Sequence, residues 1–367
     1  MNIMVVLYSF DLAGSERLGA VIASRLHKDG INVSVMAIYG DMGPISDALI
    51  AEGIPCFTID AGTKSKLCRW LDCYRYFKQQ CVDVIHVHHI SMFNFLYWPA
   101  VASRVKRIVV TEHTDFDIRR NRRLTKRTKK SFLRADYVTV IHRMLYDYFV
   151  EDLNCPLNKI EIIYNGVDSK VFYPNRSNGS YRAQLGVDKK KYLLGWIGRF
   201  HRDKDIDTLL HSIALLSNDV RGEIQVIVVG DGEGRENATK LLKKLNLDSC
   251  IKILGVRQDI PELMRNLDVL LLTSSTEGVP MVILEAMSSG VPCISTSVGG
   301  ISEVINDGEN GWLVPPKDPV ALSECITSVL SDEERLKGAG ISARKSVVER
   351  FDVNIMTDNY KKILIVT

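Results

Sequence analysis

The sequence predicts an α/β protein built from two doubly wound, Rossmann-like parallel sheets, and three observations predict it. Short apolar runs alternate with longer amphipathic runs along almost the whole chain. The alternation breaks once, at residues 173–186 (YPNRSNGSYRAQLG), where turn formers crowd together and apolar residues thin out. A length of 367 residues also exceeds what one ordinary core accommodates.

The first series carries candidate strands at residues 2–10, 32–39, 55–60, 83–88, 107–112, 137–141 and 159–164, with helical segments such as 14–28 and 66–80 between them. The second carries them at 192–197, 224–229, 251–254, 269–272, 292–296 and 312–314. The expected organisation is an N-terminal domain over 1–172, a linker over 173–186 and a second domain over 187–350. Residues 351–367 then form a closing helix, patterned over 353–365. Parallel sheets of this kind bind ligands beyond the carboxyl ends of their strands, and two of them facing each other would form a cleft.

Composition narrows the class. Hydrophobic residues make up 46% and charged residues 25%, as in soluble globular proteins, and the net charge of +3 names no partner. Residues 1–10 have no basic leader and Asp11 closes the apolar run, which predicts a buried first strand rather than a signal peptide. No stretch approaches the ~20 apolar residues that span a bilayer. The eight cysteines form no Cys-x-x-Cys pair, and Cys68 and Cys73 are too loosely spaced for a zinc knuckle. Reduced, core-filling thiols and a cytoplasmic location are expected.

The strongest chemical signal is residues 276–290, TEGVPMVILEAMSSG. A strand ends, a polar loop carries Glu277, and Pro280 stands where a helix would begin. The free amides of Met281, Val282 and Ile283 would point out of the helix start and, with its dipole, suit a diphosphate. Glu285 lies ~6 Å further along the helix, where a carboxylate can accept two hydrogen bonds from a ribose diol. An acidic loop before an ordinary amphipathic helix would look the same in isolation, but the neighbouring motifs argue against it. Gly198-Arg199-Phe200-His201-Arg202-Asp203-Lys204 comes directly after the strand at 192–197. Arg199 can fork onto phosphate oxygens and Lys204 adds a compact charge. Two cations beside a helix start can hold a nucleoside diphosphate without metal. The turns at Val229-Gly230-Asp231-Gly232 and Leu254-Gly255-Val256-Arg257 also stand after strands, and their order tells more than either one.

On these residues the chain resembles the large retaining glycosyltransferase family numbered four, of the GT-B fold. The resemblance covers nearly the whole chain. It is carried by Glu277 and Glu285 in EGVPMVILEAM, by Gly198-Arg199 with Lys204, by VVGDGE and ILGVRQDIPELM, and by the IYNGVD turn at Tyr164. It implies that Glu277 contacts the donor sugar and Glu285 the ribose. Arg199 and Lys204 then bind the diphosphate, the base lies near the residues after the Gly255 strand, Arg257 among them, and Gly230 belongs with the donor-binding residues. It also implies transfer with retention, no essential metal or cofactor beyond the nucleotide sugar, and a closing helix that packs back on the first domain; a UDP- or GDP-sugar is the expected donor. In the first half, Ala13-Gly14-Ser15-Glu16-Arg17 looks like the family's glycine-rich turn, with Gly14 approaching the diphosphate. Thr111-Glu112-His113-Thr114 places His113 where the family often has a histidine close to the reacting sugar. A structural hydrogen-bonding role is the alternative for a lone histidine there. His86, His88 and His89 cluster near one strand end, but without a paired carboxylate a metal site is not expected. Four positions depart from the pattern: Asp205 for glycine after the lysine, one glycine rather than two near Gly14, His142 for serine, and Tyr164 for proline.

Residues 118–134, IRRNRRLTKRTKKSFLR, hold dense positive charge from Arg119 to Arg134 with no acid between. A solvated helix face is the plain explanation. No recognition module accompanies the run, so nucleic acid is not the expected partner. An anionic membrane surface or a phosphate-bearing acceptor fits better, with a peripheral place on the inner face of the membrane. The aromatic segment 92–98 is near it in sequence, although a buried helix explains that segment more simply. The expected activity is transfer of a hexosyl group from a nucleoside diphosphate sugar to a hydroxyl acceptor, lipid-linked or otherwise, in polysaccharide or glycolipid biosynthesis. A sugar-nucleotide epimerase of the same fold and a non-catalytic partner subunit are the rivals.

Overall fold

A computed structural model of the chain describes residues 1–11, 14–59, 65–114, 116–175, 180–187 and 191–365, with only the backbone of Phe116 and Asp117. Ala13, Asp60 and residues 176–179 of the expected linker lie outside the described residues. Two compact units emerge: Met1–Gly166 with Asn354–Thr367, and Val167–Val353. The division falls at Gly166, some way before the turn-rich stretch at 173–186, because residues 167–175 already bond within the second unit. Arg344 donates to the carbonyls of Ser169 and Phe172, and Ser288 Oγ donates to Phe172.

Among the described residues the first unit holds seven strands: β1 (Asn2–Leu7), β2 (Asn32–Ala37), β3 (Cys56–Thr58), β4 (Val84–His88), β5 (Arg107–Glu112), β6 (Tyr137–Val140) and β7 (Ile160–Ile162). They pair in the order β3-β2-β1-β4-β5-β6-β7, every pair parallel. The second unit repeats the scheme with β8 (Tyr192–Ile197), β9 (Ile224–Val229), β10 (Ile251–Gly255), β11 (Val269–Leu272), β12 (Cys293–Thr296) and β13 (Gly311–Val314). Their order is β10-β9-β8-β11-β12-β13, again all parallel. Each unit is therefore a doubly wound α/β sheet whose chain direction switches beside its first strand, between β1 and β4 and between β8 and β11.

Burial explains why these segments are strands. β9 (IQVIVV) and β11 (VLLL) are buried at every position, as expected for sheets covered on both faces. Leu194, Trp196, Val226, Val228, Leu271 and Ile294 join one core in the second unit. Met4, Val6, Ile85, Val87, Val110 and Val138 do the same in the first. All eight cysteines are free; Cys73, Cys155, Cys250 and Cys293 fill cores, whereas Cys68 and Cys81 are exposed rather than core-filling. Among the described residues no helix is long and apolar enough to cross a membrane.

Candidate active site

In the second unit the loops after β8, β9, β11 and β12 interlock, and that interlock positions the charged side chains. Gly198 N donates to Val229 O and Phe200 N to Asp231 O, so the loop after β8 lies flat on the loop after β9. Gly230 makes this possible. Its φ is +133°, and a Cβ there would sit 1.9 Å from the carbonyl oxygen of Gly198. On the other side, Thr273 Oγ1 donates to Lys204 O at 3.0 Å, and Ser275 N donates to Asp203 O at 2.8 Å. These bonds bring Lys204 against the loop that carries Glu277. Lys204 Nζ forms an ion pair with Glu277 Oε1, and Ser274 Oγ donates to the same oxygen at 2.6 Å. Only 11% of the Glu277 side chain and 27% of the Lys204 side chain remain exposed, so the pair is partly desolvated. Gly299 closes the far side: with φ +57°, its Cβ position lies 1.8 Å from Glu277 O.

The helix after this loop spans Met281–Ser288. Pro280 precedes it as the N-cap, with an extended ψ of 126°, rather than occupying its first turn. Ile283 N donates to Pro280 O, so of the three amides expected to point outward, this one is already engaged. Met281 and Val282 stand at the helix start, where no intrahelical carbonyl is within reach. Glu285 is half-buried on the same helix. Arg199 is exposed, and its guanidinium has no partner among the described residues. Arg257 differs from it. Its fork is committed to Asp259, Nε to Oδ1 at 2.7 Å and a second N–H to Oδ2 at 2.5 Å, while Tyr181 also donates to that carboxylate. Arg257 accordingly holds the Asp259 carboxyl down at about 2, and the carboxylate raises the guanidinium in turn.

Two departures from the family pattern find physical explanations. Asp205 adopts the left-handed conformation (φ 45°, ψ 56°), the one glycine adopts freely. It compensates by capping the helix Ile206–Leu215, where it accepts from Thr208 N at 3.3 Å and from Thr208 Oγ1 at 2.7 Å. His142 caps the helix Arg143–Asp147 by accepting from Leu145 N at 3.2 Å, which is the work a serine would do there.

The first unit gathers its polar groups at the ends of β1, β4 and β5. Gly14 opens the helix Gly14–Lys28, which carries Ser15. His89 Nε2 lies 3.1 Å from Ser15 Oγ and its Nδ1 lies 2.9 Å from Glu112 Oε1. Glu112 also accepts the backbone amides of Ile90 and His113, both at 2.9 Å. His113 Nε2 is 3.0 Å from His88 Nδ1. His86 Nε2 meets Thr111 Oγ1 at 2.7 Å, and that hydroxyl reaches Thr139 and Tyr360. Burial depresses His86 to about 3 and holds His88 and His113 well below the usual imidazole range. Among the described residues no group of three histidine, cysteine or acidic side chains is arranged to hold a metal. Sequence reasoning missed Ser274, gave Glu112 no role of its own and weighed His88 only as a metal ligand. Small or polar side chains ending apolar strands are their only signal, and such residues are common.

The basic stretch is divided between the helix Phe116–Arg120, which carries Arg119 and Arg120, and the helix Arg122–Arg134, capped by Asn121 and anchored through buried Thr128, Ser131 and Phe132. Its remaining cations are exposed, as are Leu133 (75%) and, on the helix Ile90–Ala102, Trp98 (56%). Arg134 lies over the rings of Tyr97 and Trp98, at 5.0 and 5.7 Å. Met92, Phe93 and Leu96 are buried, so of the aromatic segment it is chiefly Trp98 that faces out.

Comparison with known proteins agrees with this architecture. The family model described as Glycosyl transferases group 1 matches residues 177–346, and that described as Glycosyltransferase Family 4 matches residues 12–171. N-acetyl-alpha-D-glucosaminyl L-malate synthase of Bacillus anthracis is 28% identical over 290 residues, covering 78% of this chain and 75% of that protein. The UDP-Gal:alpha-D-GlcNAc-diphosphoundecaprenol alpha-1,3-galactosyltransferase of Escherichia coli is 23% identical, covering 96% and 94%. In fold, the chain resembles HepE of Anabaena, solved in complex with UDP, at a TM-score of 0.88 with 22% identity over 99% of both chains.

Proposed function

The chain belongs to the group 1 and family 4 glycosyltransferases, and on that premise we propose that it moves a hexosyl group from a nucleoside diphosphate sugar to a hydroxyl acceptor, with retention and without metal. The observation that carries this is the Lys204–Glu277 pair, steadied by Ser274 beside the start of the helix Met281–Ser288. A cation and a carboxylate that neutralise each other in the free protein are poised for a ligand that needs both. The diphosphate engages Lys204, Arg199 and the amides at Met281 and Val282. Glu277 is then released to accept from hydroxyls of the sugar, while Glu285 accepts from the ribose diol. Charge that grows on the leaving phosphate as the anomeric C–O bond breaks meets donors already in place. The acceptor oxygen forms the new bond on the face the phosphate leaves, and a phosphate oxygen takes its proton. His113 contributes a hydrogen bond to the sugar.

The HepE complexes with UDP and with UDP-glucose support a uridine donor as the first to try. The test is a thermal-shift screen of UDP, GDP and ADP and their sugars, followed by acceptor trials with the best donor in the presence of EDTA. Binding of one nucleotide and EDTA-resistant transfer with an axial product linkage from an axial donor are the expected results. Glu277→Ala should lower turnover at least about a hundredfold while nucleotide binding persists. Near-normal turnover refutes the role given to Glu277.

The acceptor side is read from the basic helix. Exposed Leu133 and Trp98 beside its cations suit an acidic bilayer, at about 1 kcal/mol for each basic side chain near the surface. The name of the Escherichia coli relative, which acts on a diphosphoundecaprenol-linked sugar, supports a lipid-linked acceptor. Salt-sensitive binding to anionic liposomes is expected, and equal binding to neutral ones would refute it.

A further inference from the structure

His88 and His113 end neighbouring strands, and their rings are set against each other. His88 closes β4 opposite Thr111 of β5, two residues before His113. The two rings stack with centroids 5.2 Å apart and planes at 16°, and His88 Nδ1 is 3.0 Å from His113 Nε2. His88 is fully buried, and its other nitrogen, Nε2, has no partner among the described residues. That nitrogen faces the helix Gly14–Lys28 at Gly19, where a Cβ would come within 3.1 Å of it and 2.3 Å of Leu7 Cδ2.

A neutral imidazole carries one N–H. Burial, reinforced by the neighbouring histidines, keeps both His88 and His113 neutral. An N–H aimed at Leu7 and Gly19 would be an orphan donor, and buried orphan donors are rarer than under-satisfied acceptors. The proton of His88 therefore sits on Nδ1 and is donated to His113 Nε2. His113 Nε2 must then be the acceptor, which leaves the proton of His113 on Nδ1. That nitrogen has no partner among the described residues and is not closed off from solvent. The backbone of His113 is fixed as well, because its amide donates to Glu112 Oε1 while Glu112 Oε2 accepts from Ile90 N.

We infer that His88 is a positioning residue for the transfer reaction: it locks His113 into the tautomer that donates through Nδ1, so that His113 meets an oxygen lone pair of the sugar. This rests on the role proposed for His113. A ring free to switch tautomer would present a lone pair to the same oxygen for part of the time and repel it.

The test combines ring nitrogen spectra of ¹⁵N-histidine-labelled protein with kinetics of H88L, H88N and H113A. In the wild-type protein His113 should show a protonated Nδ1 and an unprotonated Nε2. H88L should lose that preference and lower kcat about ten- to a hundredfold, with the acceptor KM little changed. H88N, whose amide nitrogen falls where Nδ1 was, should restore most of both. A wild-type His113 protonated on Nε2 overturns the inference even if no variant folds. So does H88L turning over normally, or H88N failing as badly as H88L. Wild-type turnover by H113A defeats the role of His113 itself, while the tautomer measurement still stands or falls on its own.

Discussion

Asp205 shows how one side chain can hold a conformation that would favour glycine. Its left-handed backbone costs about 1–2 kcal/mol for a residue with a Cβ, and the cap it provides through Thr208 returns about 1 kcal/mol. Asp205→Gly loses the cap but relieves the backbone, so stability should stay within about 1 kcal/mol of the wild type. Asp205→Val keeps the backbone penalty, loses the cap and adds branching, so it should cost about 2 kcal/mol or more. Urea unfolding of both variants checks the difference; equal midpoints would show that the cap does not offset the strained turn. Glycine at 230 leaves no such choice. A methyl group 1.9 Å from a carbonyl oxygen forces the loops after β8 and β9 apart. Gly230→Ala should therefore weaken nucleotide binding by more than tenfold in a calorimetric titration.

The strands were legible because a strand covered on both faces must be apolar throughout, and few other segments are. β5, β8, β9 and β11 match the expected bounds, whereas β1 and β7 stop short where the chain turns polar or loops away. Charges just after strands were legible for a similar reason: Glu277, Lys204 and Arg199 stand where parallel sheets open. Their pairing was not, because Lys204 and Glu277 are 73 residues apart in sequence and meet only through the ties of Thr273 and Ser275. Arg257 was legible as a charge just after a strand, but not its bidentate pairing with Asp259, two residues on. The histidines of β4 were visible but not their consequence. Buried His86 titrates near 3, against about 6.5 when unfolded. Between those values the unfolded chain binds a proton that the folded chain refuses, so stability falls as pH drops from 6.5 towards 3. The slope from this one group is about 1.4 kcal/mol per pH unit, and His88 and His113 act in the same direction. Hydrogen exchange of the β4 and β5 amides should show opening that becomes easier from pH 7 to pH 5. His86→Leu should flatten that dependence; an unchanged slope would show that His86 is not its source.

The chain leaves its first unit after Gly166 and returns to it at Asn354. The two crossings run side by side: Val167 N donates to Phe351 O and Val353 N to Val167 O, both at 2.9 Å. From Asn354 onward the helix Val353–Leu364 belongs to the first unit, although it is made last. Met356, Tyr360, Ile363 and Leu364 are buried, each contributing about 1.5–3 kcal/mol by leaving water. Three polar ties add direction. Tyr360 OH lies 3.3 Å from Thr111 Oγ1, Arg107 donates to Ile363 O at 2.6 Å, and Lys361 pairs with Asp29. Thr111 is the residue before Glu112, which holds the His113 amide, so the helix braces the strand end that carries the proposed sugar contact. Removing residues 354–367 should therefore unfold or loosen the first unit and abolish transfer. The second unit, whose core and charged pair lie within 167–353, should still bind nucleotide with an affinity close to that of the full chain. Tyr360→Phe is the milder version: it keeps the ring and its packing, removes one buried hydroxyl, and should cost about 1 kcal/mol. A truncated protein with an intact first unit by hydrogen exchange would mean that the helix is carried by the fold rather than carrying it. Loss of nucleotide binding along with transfer would mean that the second unit does not hold its ligand site unaided.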